Sequence, residues 1–424
     1  MSFDSAKENF FIPPREFDGV QKVNCRHLLI VLAILLPSCA IVSLPKDDVS
    51  LRQARQLNQE LLILDTHLDT PSKALKNPGW AFHQTGDQTL VDLPRMQQAG
   101  VNAPFMVVYT SPSLKGHDAL THALSLSDVI SGWVEDYPRD LSLARSTNDV
   151  LAAKKARKIS VVMCMENSSP ILEGRLDLVR TFYRLGVRYM SLCHFKNNHL
   201  CDSSTDEPLH GGVSKFGEQV IAEANRLGIM LDVSHISDDA VRDHLRLSKA
   251  PLIASHSNAR KLCGHPRNLT DELIRGIAKG GGVIQLNFAA QYVSAAYLEK
   301  YNERKALLAP REKEIDERFA GQKEKAEAEK EKLSKSVPRP PPPPLEDWFE
   351  HVDYIAGLVG KEYVGLGSDF DGIGAWPREL KDITSIDLIT LGLLKRGWSR
   401  EEIAGFYSGN LLRAWKKAEE VAGP

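Results

Sequence analysis

From about residue 60 onward, short uninterrupted apolar runs alternate with segments whose apolar residues recur every three or four positions. Continuous apolar runs are what parallel strands buried on both faces require. Eight such runs stand out, at 61–64, 103–109, 159–165, 187–192, 229–233, 251–254, 282–287 and 363–367. Between them, 176–185 and 218–227 carry helical spacing, and Gly186 and Gly228 follow as stop signals. Eight strands separated by helices predict an α/β chain folded as a (β/α)8 TIM barrel. An open doubly wound sheet is the alternative, but no GxGxxG turn follows the first run.

Two stretches break this rhythm. Residues 312–335 are rich in Glu, Lys and Ala, and a proline run at 340–344 follows Pro338 and Arg339. This reads as a solvated helix and a stiff spacer within an insertion at about 300–345, folded on the barrel or covering its mouth. A docking site for a proline-reading module is the other reading. Near the N-terminus, 28–36 reads LLIVLAILL, with Lys22 and Arg26 before it and Pro37-Ser38-Cys39-Ala40 after it. A basic flank, an apolar core and a small-residue exit are the parts of an export signal. The segment 36–39 resembles the lipobox of bacterial lipoproteins, in which Cys39 would be acylated and become the mature N-terminus. An uncleaved membrane anchor is the alternative, although spanning takes about 20 apolar residues. The expected organisation is a tail with an export or lipoprotein signal at 1–45 and a catalytic barrel at 46–424. The expected location is the periplasmic side of a bacterial membrane.

Composition narrows the chemistry. The 424 residues include 53 basic and 55 acidic ones, a net charge of −2, so no basic field invites a nucleic acid. Six cysteines without a CxxC pair exclude a thiolate zinc site, leaving His and carboxylate for any metal. Cys164 and Cys193 lie within apolar runs and read as buried; Cys201 and Cys263 are the disulfide candidates.

In a barrel, function collects where the strands end. The first run is followed by Asp65-Thr66-His67-Leu68-Asp69, which puts His67 and Asp69 on one side of an extended chain. Glu166 ends the third run, His194 the fourth, His235 the fifth and His256 the sixth; Asp369 and Asp371 follow the eighth. One strand-end histidine is usually a satisfied core residue. Three in succession, with carboxylates at other ends, point to a metal site. The nine other histidines fall in helices or loops and read as surface or structural. Asp369 is the candidate acid–base group, with Asp371 as the alternative.

Taken in order, these residues resemble the membrane dipeptidase family of zinc peptidases, within the metal-dependent hydrolase barrels. The resemblance spans about 61–412 and rests on His67/Asp69, Glu166, the 189–194 segment, Asp232-Val233-Ser234-His235, the block from Ser255-His256-Ser257 to Arg267-Asn268, and 367–372. It implies two Zn2+ ions, one held by His67, Asp69 and Glu166, the other by Glu166, His235 and His256. Water activated to hydroxide between them would attack the amide of a dipeptide. By the same resemblance, His194 stabilises the oxyanion and Arg267 binds the substrate's C-terminal carboxylate; Asp369, chosen for its strand-end position, is expected to contact substrate while moving the proton. The family often dimerises, so a homodimer is expected. The chain departs from the family after Glu166, where glycines are common and Asn167-Ser168-Ser169 stand instead. Competing readings are a related amidohydrolase acting on N-acyl amino acids, lactones or β-lactam amides, and a lipid-anchored binding protein with a decayed site.

Overall fold

Nine parallel strands organise the computed structural model, which describes residues 50–423. They are β1 (Ile63–Leu68), β2 (Val101–Tyr109), β3 (Leu141–Ala144), β4 (Ile159–Glu166), β5 (Val187–Ser191), β6 (Met230–Asp232), β7 (Ile253–Ala254), β8 (Val283–Leu286) and β9 (Val364–Leu366). Pairing runs β1-β2-β4-β5-β6-β7-β8-β9, and a parallel bridge from Leu68 to Phe370 brings the two ends together. The result is a nearly closed (β/α)8 barrel, as the alternating pattern predicts. The export or lipobox segment with Cys39 lies outside the described residues.

Two strands differ from expectation. β3 pairs only with the first half of β4, from Leu141 opposite Ile159 to Ala144 opposite Val162, and stands off the barrel path. Its two central residues are half-buried, so it lacks the continuous apolar signature of the other strands. β1 runs on to Leu68, well past the apolar run that marks it. Asp65, Thr66 and His67 are buried within it and partly tied down by hydrogen bonds: the Thr66 hydroxyl donates to Ser255 O at 2.7 Å, and Asp65 accepts from Ser368 N at 2.9 Å.

The barrel interior packs Leu64, Phe105, Val107, Val162, Cys164 and Tyr189 against Trp415 of the last helix, Asn410–Val421. Phe105 stacks on Tyr189 at 5.8 Å and meets Trp415 edge-on at 5.7 Å. Helices such as Leu176–Leu185 and Lys215–Leu227 bury their apolar stripes on the outside, and both end at the expected glycines. Cys164, Cys193, Cys201 and Cys263 are all buried free thiols, so the disulfide suggested for Cys201 and Cys263 is not formed.

The insertion is more helical than its composition suggested. Ala295–Arg318 and Lys323–Ser336 pair through Lys330–Asp316 at 2.6 Å and Arg304 to Ser334 O at 2.6 Å. The proline strap then crosses the loop after β9, where Arg378 N donates to Pro343 O at 3.0 Å and Arg339 bonds Gly374 O. No helix among the described residues is long and apolar enough to cross a membrane.

Candidate active site

The C-terminal ends of β1, β4, β6, β7 and β9 converge, and with them the side chains singled out above. Glu166 ends β4, and its two oxygens face different partners. Oε1 lies 2.9 Å from His235 Nε2 and 3.6 Å from His256 Nε2; Oε2 lies 3.6 Å from His67 Nε2. Asp69 Oδ2 is 3.5 Å from the same His67 nitrogen, and the His235 and His256 Nε2 atoms are 2.9 Å apart. All five residues are buried. His67 Nε2 and Glu166 Oε1 have no hydrogen-bond partner.

Buried lone pairs this close repel unless something positive lies among them. Burial holds His235 and His256 well below the ordinary imidazole value, so both are neutral and present a lone pair. For His67, burial opposes the charge, but Glu166 and Asp69 outweigh it and raise the pKa well above the usual value. A proton there occupies the place a divalent cation would take. The donor set, nitrogen and carboxylate oxygen without thiolate, suits zinc. Three overlapping groups could hold an ion: His67/Glu166/His256, Glu166/His194/His235 and His67/Asp69/Asp369. Glu166 belongs to two of them.

Neighbouring residues fix the imidazoles. The Tyr189 hydroxyl donates to Thr66 O at 2.9 Å, so at 2.7 Å from His67 Nδ1 it accepts that N–H and leaves Nε2 as the acceptor. Ser255 Oγ likewise donates to Asp232 Oδ2 at 2.7 Å and receives His256 Nδ1–H at 2.7 Å. Asp232 also accepts from Ser255 N and Ser234 N, tying β6 to β7 beneath the site. Nothing in the sequence pattern assigns these roles to Tyr189, Ser255 or Asp232, because each acts across strands that only the closed barrel brings together.

His194 sits against His235 with ring centroids 4.2 Å apart, its Nδ1 3.4 Å from the Tyr109 hydroxyl. Burial, helped by Arg267 and His67, lowers its pKa to about 3, so it is a neutral N–H donor. Asp369 accepts from Asn287 Nδ2 at 2.9 Å, and burial pushes its pKa up to about 8 against the pull of His67. Asp371 is engaged otherwise: it accepts from the Thr70 hydroxyl and Leu90 N, both at 2.7 Å. Arg267 is 3% exposed and lies behind His256 and Ser257, donating to His256 O and Ser257 Oγ at 3.1 Å. Its Nε is unpartnered, and among the described residues no carboxylate is within ion-pair reach.

Backbone strain gathers here. Asn167, His235, Asp369 and Asp371 have φ of 58°, 75°, 62° and 69°. Asn tolerates this left-handed region best after glycine, which suits Asn167 to its place. Gly372 has no side chain to spare, since a Cβ there would collide with the Asp69 and Asp369 carboxylates.

A cavity of about 670 Å³ opens above these groups. Its walls include His265 and Tyr292, together with Tyr301, Asn302 and Lys305 from the insertion. His265 is not the surface or structural histidine its loop position suggests: it lies beside the site because the long loop after β7 folds back over it, well past the strand end at His256.

The family model for membrane dipeptidases, peptidase family M19, matches residues 51–424. Dipeptidase verJ of Clonostachys rogersoniana is 29% identical over 394 residues, covering 88% of this chain and 89% of its own. Dipeptidase 3 of Rattus norvegicus is 27% identical over 381 residues, covering 87% of this chain and 67% of its own. The crystal structure of the probable dipeptidase PvdM from Pseudomonas aeruginosa superposes with a TM-score of 0.76 at 27% identity, covering 88% of this chain and 99% of that one.

Proposed function

The chain belongs to the membrane dipeptidase family, and from that membership we propose that residues 46–424 form one catalytic domain hydrolysing dipeptides with two zinc ions. His67, Asp69 and Glu166 would hold one ion, and Glu166, His235 and His256 the second. The observation that carries this reading is the splayed Glu166 carboxylate, one oxygen toward His67 and the other toward His235 and His256. Zinc at these positions supplies Lewis acidity and a water activated at neutral pH.

The protein's own groups do the rest. Hydrolysis adds water across the amide, oxygen to carbon and a proton to nitrogen. Asp369, raised to about 8, exchanges its proton near neutrality: its ionised form would take a proton from the attacking water, and the carboxyl so formed would pass it to the leaving amine. Neutral His194 donates its N–H to the carbonyl oxygen as negative charge develops there. Arg267 contributes a buried positive charge lacking a carboxylate partner among the described residues, and the substrate's terminal carboxylate is the anion assigned to it.

The test is a panel of dipeptides against N-acyl amino acids, assayed after chelation and after zinc is restored. The reading expects hydrolysis of free dipeptides only, lost on chelation and regained with zinc. Preference for N-acyl substrates would instead support the amidohydrolase alternative. We also propose that the N-terminal segment is an export signal ending in an acylated Cys39, placing the enzyme on the periplasmic face of a membrane. Mass spectrometry of the exported protein should find a lipid on Cys39, and an unmodified Cys39 would reject the anchor.

A further inference from the structure

The charges around the cavity are segregated. Its acidic groups, Asp69, Glu166, Asp369 and Asp371, are all buried at the floor and are committed to the metal cluster, to Asn287, or to Thr70 and Leu90. Its rim carries Lys73, Lys76, Lys196 and Lys305. Of these only Lys196 has an acidic partner, Asp206 at 3.4 Å. Lys73, Lys76 and Lys305 form no ion pair among the described residues, so their charges face the cavity mouth uncompensated. The whole chain has a net charge of −2, so a rim of one sign is not a sample of a basic surface.

Three segments build this rim. Lys73 and Lys76 lie one turn apart on the helix Thr70–Lys76, directly after the Asp69 loop. Lys196 follows His194. Lys305 comes from the insertion helix, where Tyr301, Asn302 and Lys305 share one face and wall the cavity. Lys305 stands near enough to His265 to depress its pKa, and His265 Nδ1 accepts from Arg267 N at 3.0 Å. The insertion lysine therefore lies on the Arg267 side, where the second residue of a dipeptide would rest.

Resting on the dipeptidase reading, we propose that this rim selects dipeptides bearing an acidic side chain, with Lys305 reading a carboxylate on the second residue. A cleft walled by one sign of charge concentrates the opposite sign and raises encounter rates. The insertion thus acts as a specificity wall over the barrel mouth.

The experiment compares kcat/KM for Ala-Glu and Ala-Gln, which differ in charge and hardly in shape, in wild type and in Lys305→Met. The wild type should favour Ala-Glu by about tenfold at low ionic strength, with the ratio shrinking as salt rises. In Lys305→Met the ratio should fall severalfold, mainly through KM. Circular dichroism and zinc content of the variant report whether it is folded, and Lys73→Met with Lys76→Met provides an independent reduction of the same ratio. A wild-type ratio of one, with both peptides hydrolysed, overturns the acidic preference while leaving the dipeptidase reading intact. Hydrolysis of neither peptide overturns both. A ratio unchanged in the folded variants overturns the role of the lysines.

Discussion

A buried imidazole can offer a lone pair only if its other nitrogen is held, and in His67 that task falls to a single hydroxyl, Tyr189, which is itself anchored to Thr66 O. Tyr189→Phe keeps the ring that packs on Phe105 and removes the hydroxyl with its bonds to His67 Nδ1 and Thr66 O. Metal titration of that variant should show affinity weakened roughly 10–100-fold with the melting temperature little changed; unaltered affinity would mean the hydroxyl does not orient the ligand. Asp369 tests a different step. Asp369→Asn preserves shape and the contact with Asn287 but cannot act as an acid or base near neutral pH, so kcat should fall by roughly 10²–10⁴ while zinc content stays at the wild-type level. Full turnover in Asp369→Asn would assign the proton transfer elsewhere. The first-rank residues were legible in the chain because strand-end positions are few and His, Asp and Glu are costly there. Tyr189, Ser255 and Asp232 were not, because a hydrogen bond between strands leaves no periodic trace.

At the scale of the element, the strand ends matter more than the strands. β6 and β7 are only three and two residues long, yet His235 and His256 follow them and are placed by the Asp232–Ser255 bonds. The apolar runs located eight of the nine strands, and β3 escaped because it is short and half-exposed. The loop after Glu166 shows how a local conformation decides a residue. Asn167 sits at φ 58°, with its side chain bonded to Thr110 O and its N–H to Ser191 Oγ. Asn167→Gly should fold and retain activity. Asn167→Val should lose about 1–3 kcal/mol in chemical denaturation, since a β-branched residue is strained there. Equal stability of the two variants would show that the backbone relaxes.

For the whole molecule, the helix Leu345–Val359 links the insertion back to the barrel, and His351 on it bridges two segments near the site. Its Nδ1 accepts from Ala259 N at 3.1 Å and its Nε2–H donates to Val293 O at 2.9 Å, so it must be neutral. Burial lowers its pKa to about 4, and does the same for His244. The unfolded chain takes up these protons near 6.5 and the folded one not until about 4, so the unfolded state binds more protons between those values. Stability is therefore full above pH 6.5 and falls as pH drops toward 4, by on the order of 3 kcal/mol per histidine. Melting temperatures across that window should decline less steeply in His351→Gln than in wild type, and parallel slopes would exclude His351 as a contributor. The charged helix of the insertion was visible in its composition, but the longer helix Ala295–Arg318 and its place at the cavity wall were not, because it buries only Tyr297 and Leu308 and so leaves no apolar stripe in the sequence.

The central claim is that one carboxylate, Glu166, joins two cation sites. Elemental analysis of purified wild type and Glu166→Gln, after dialysis against limiting zinc, tests it directly. The account predicts about two zinc ions per wild-type chain and fewer than one in Glu166→Gln, because both sites share that side chain. Retention of both ions by Glu166→Gln, or a wild-type protein that binds none, would contradict it.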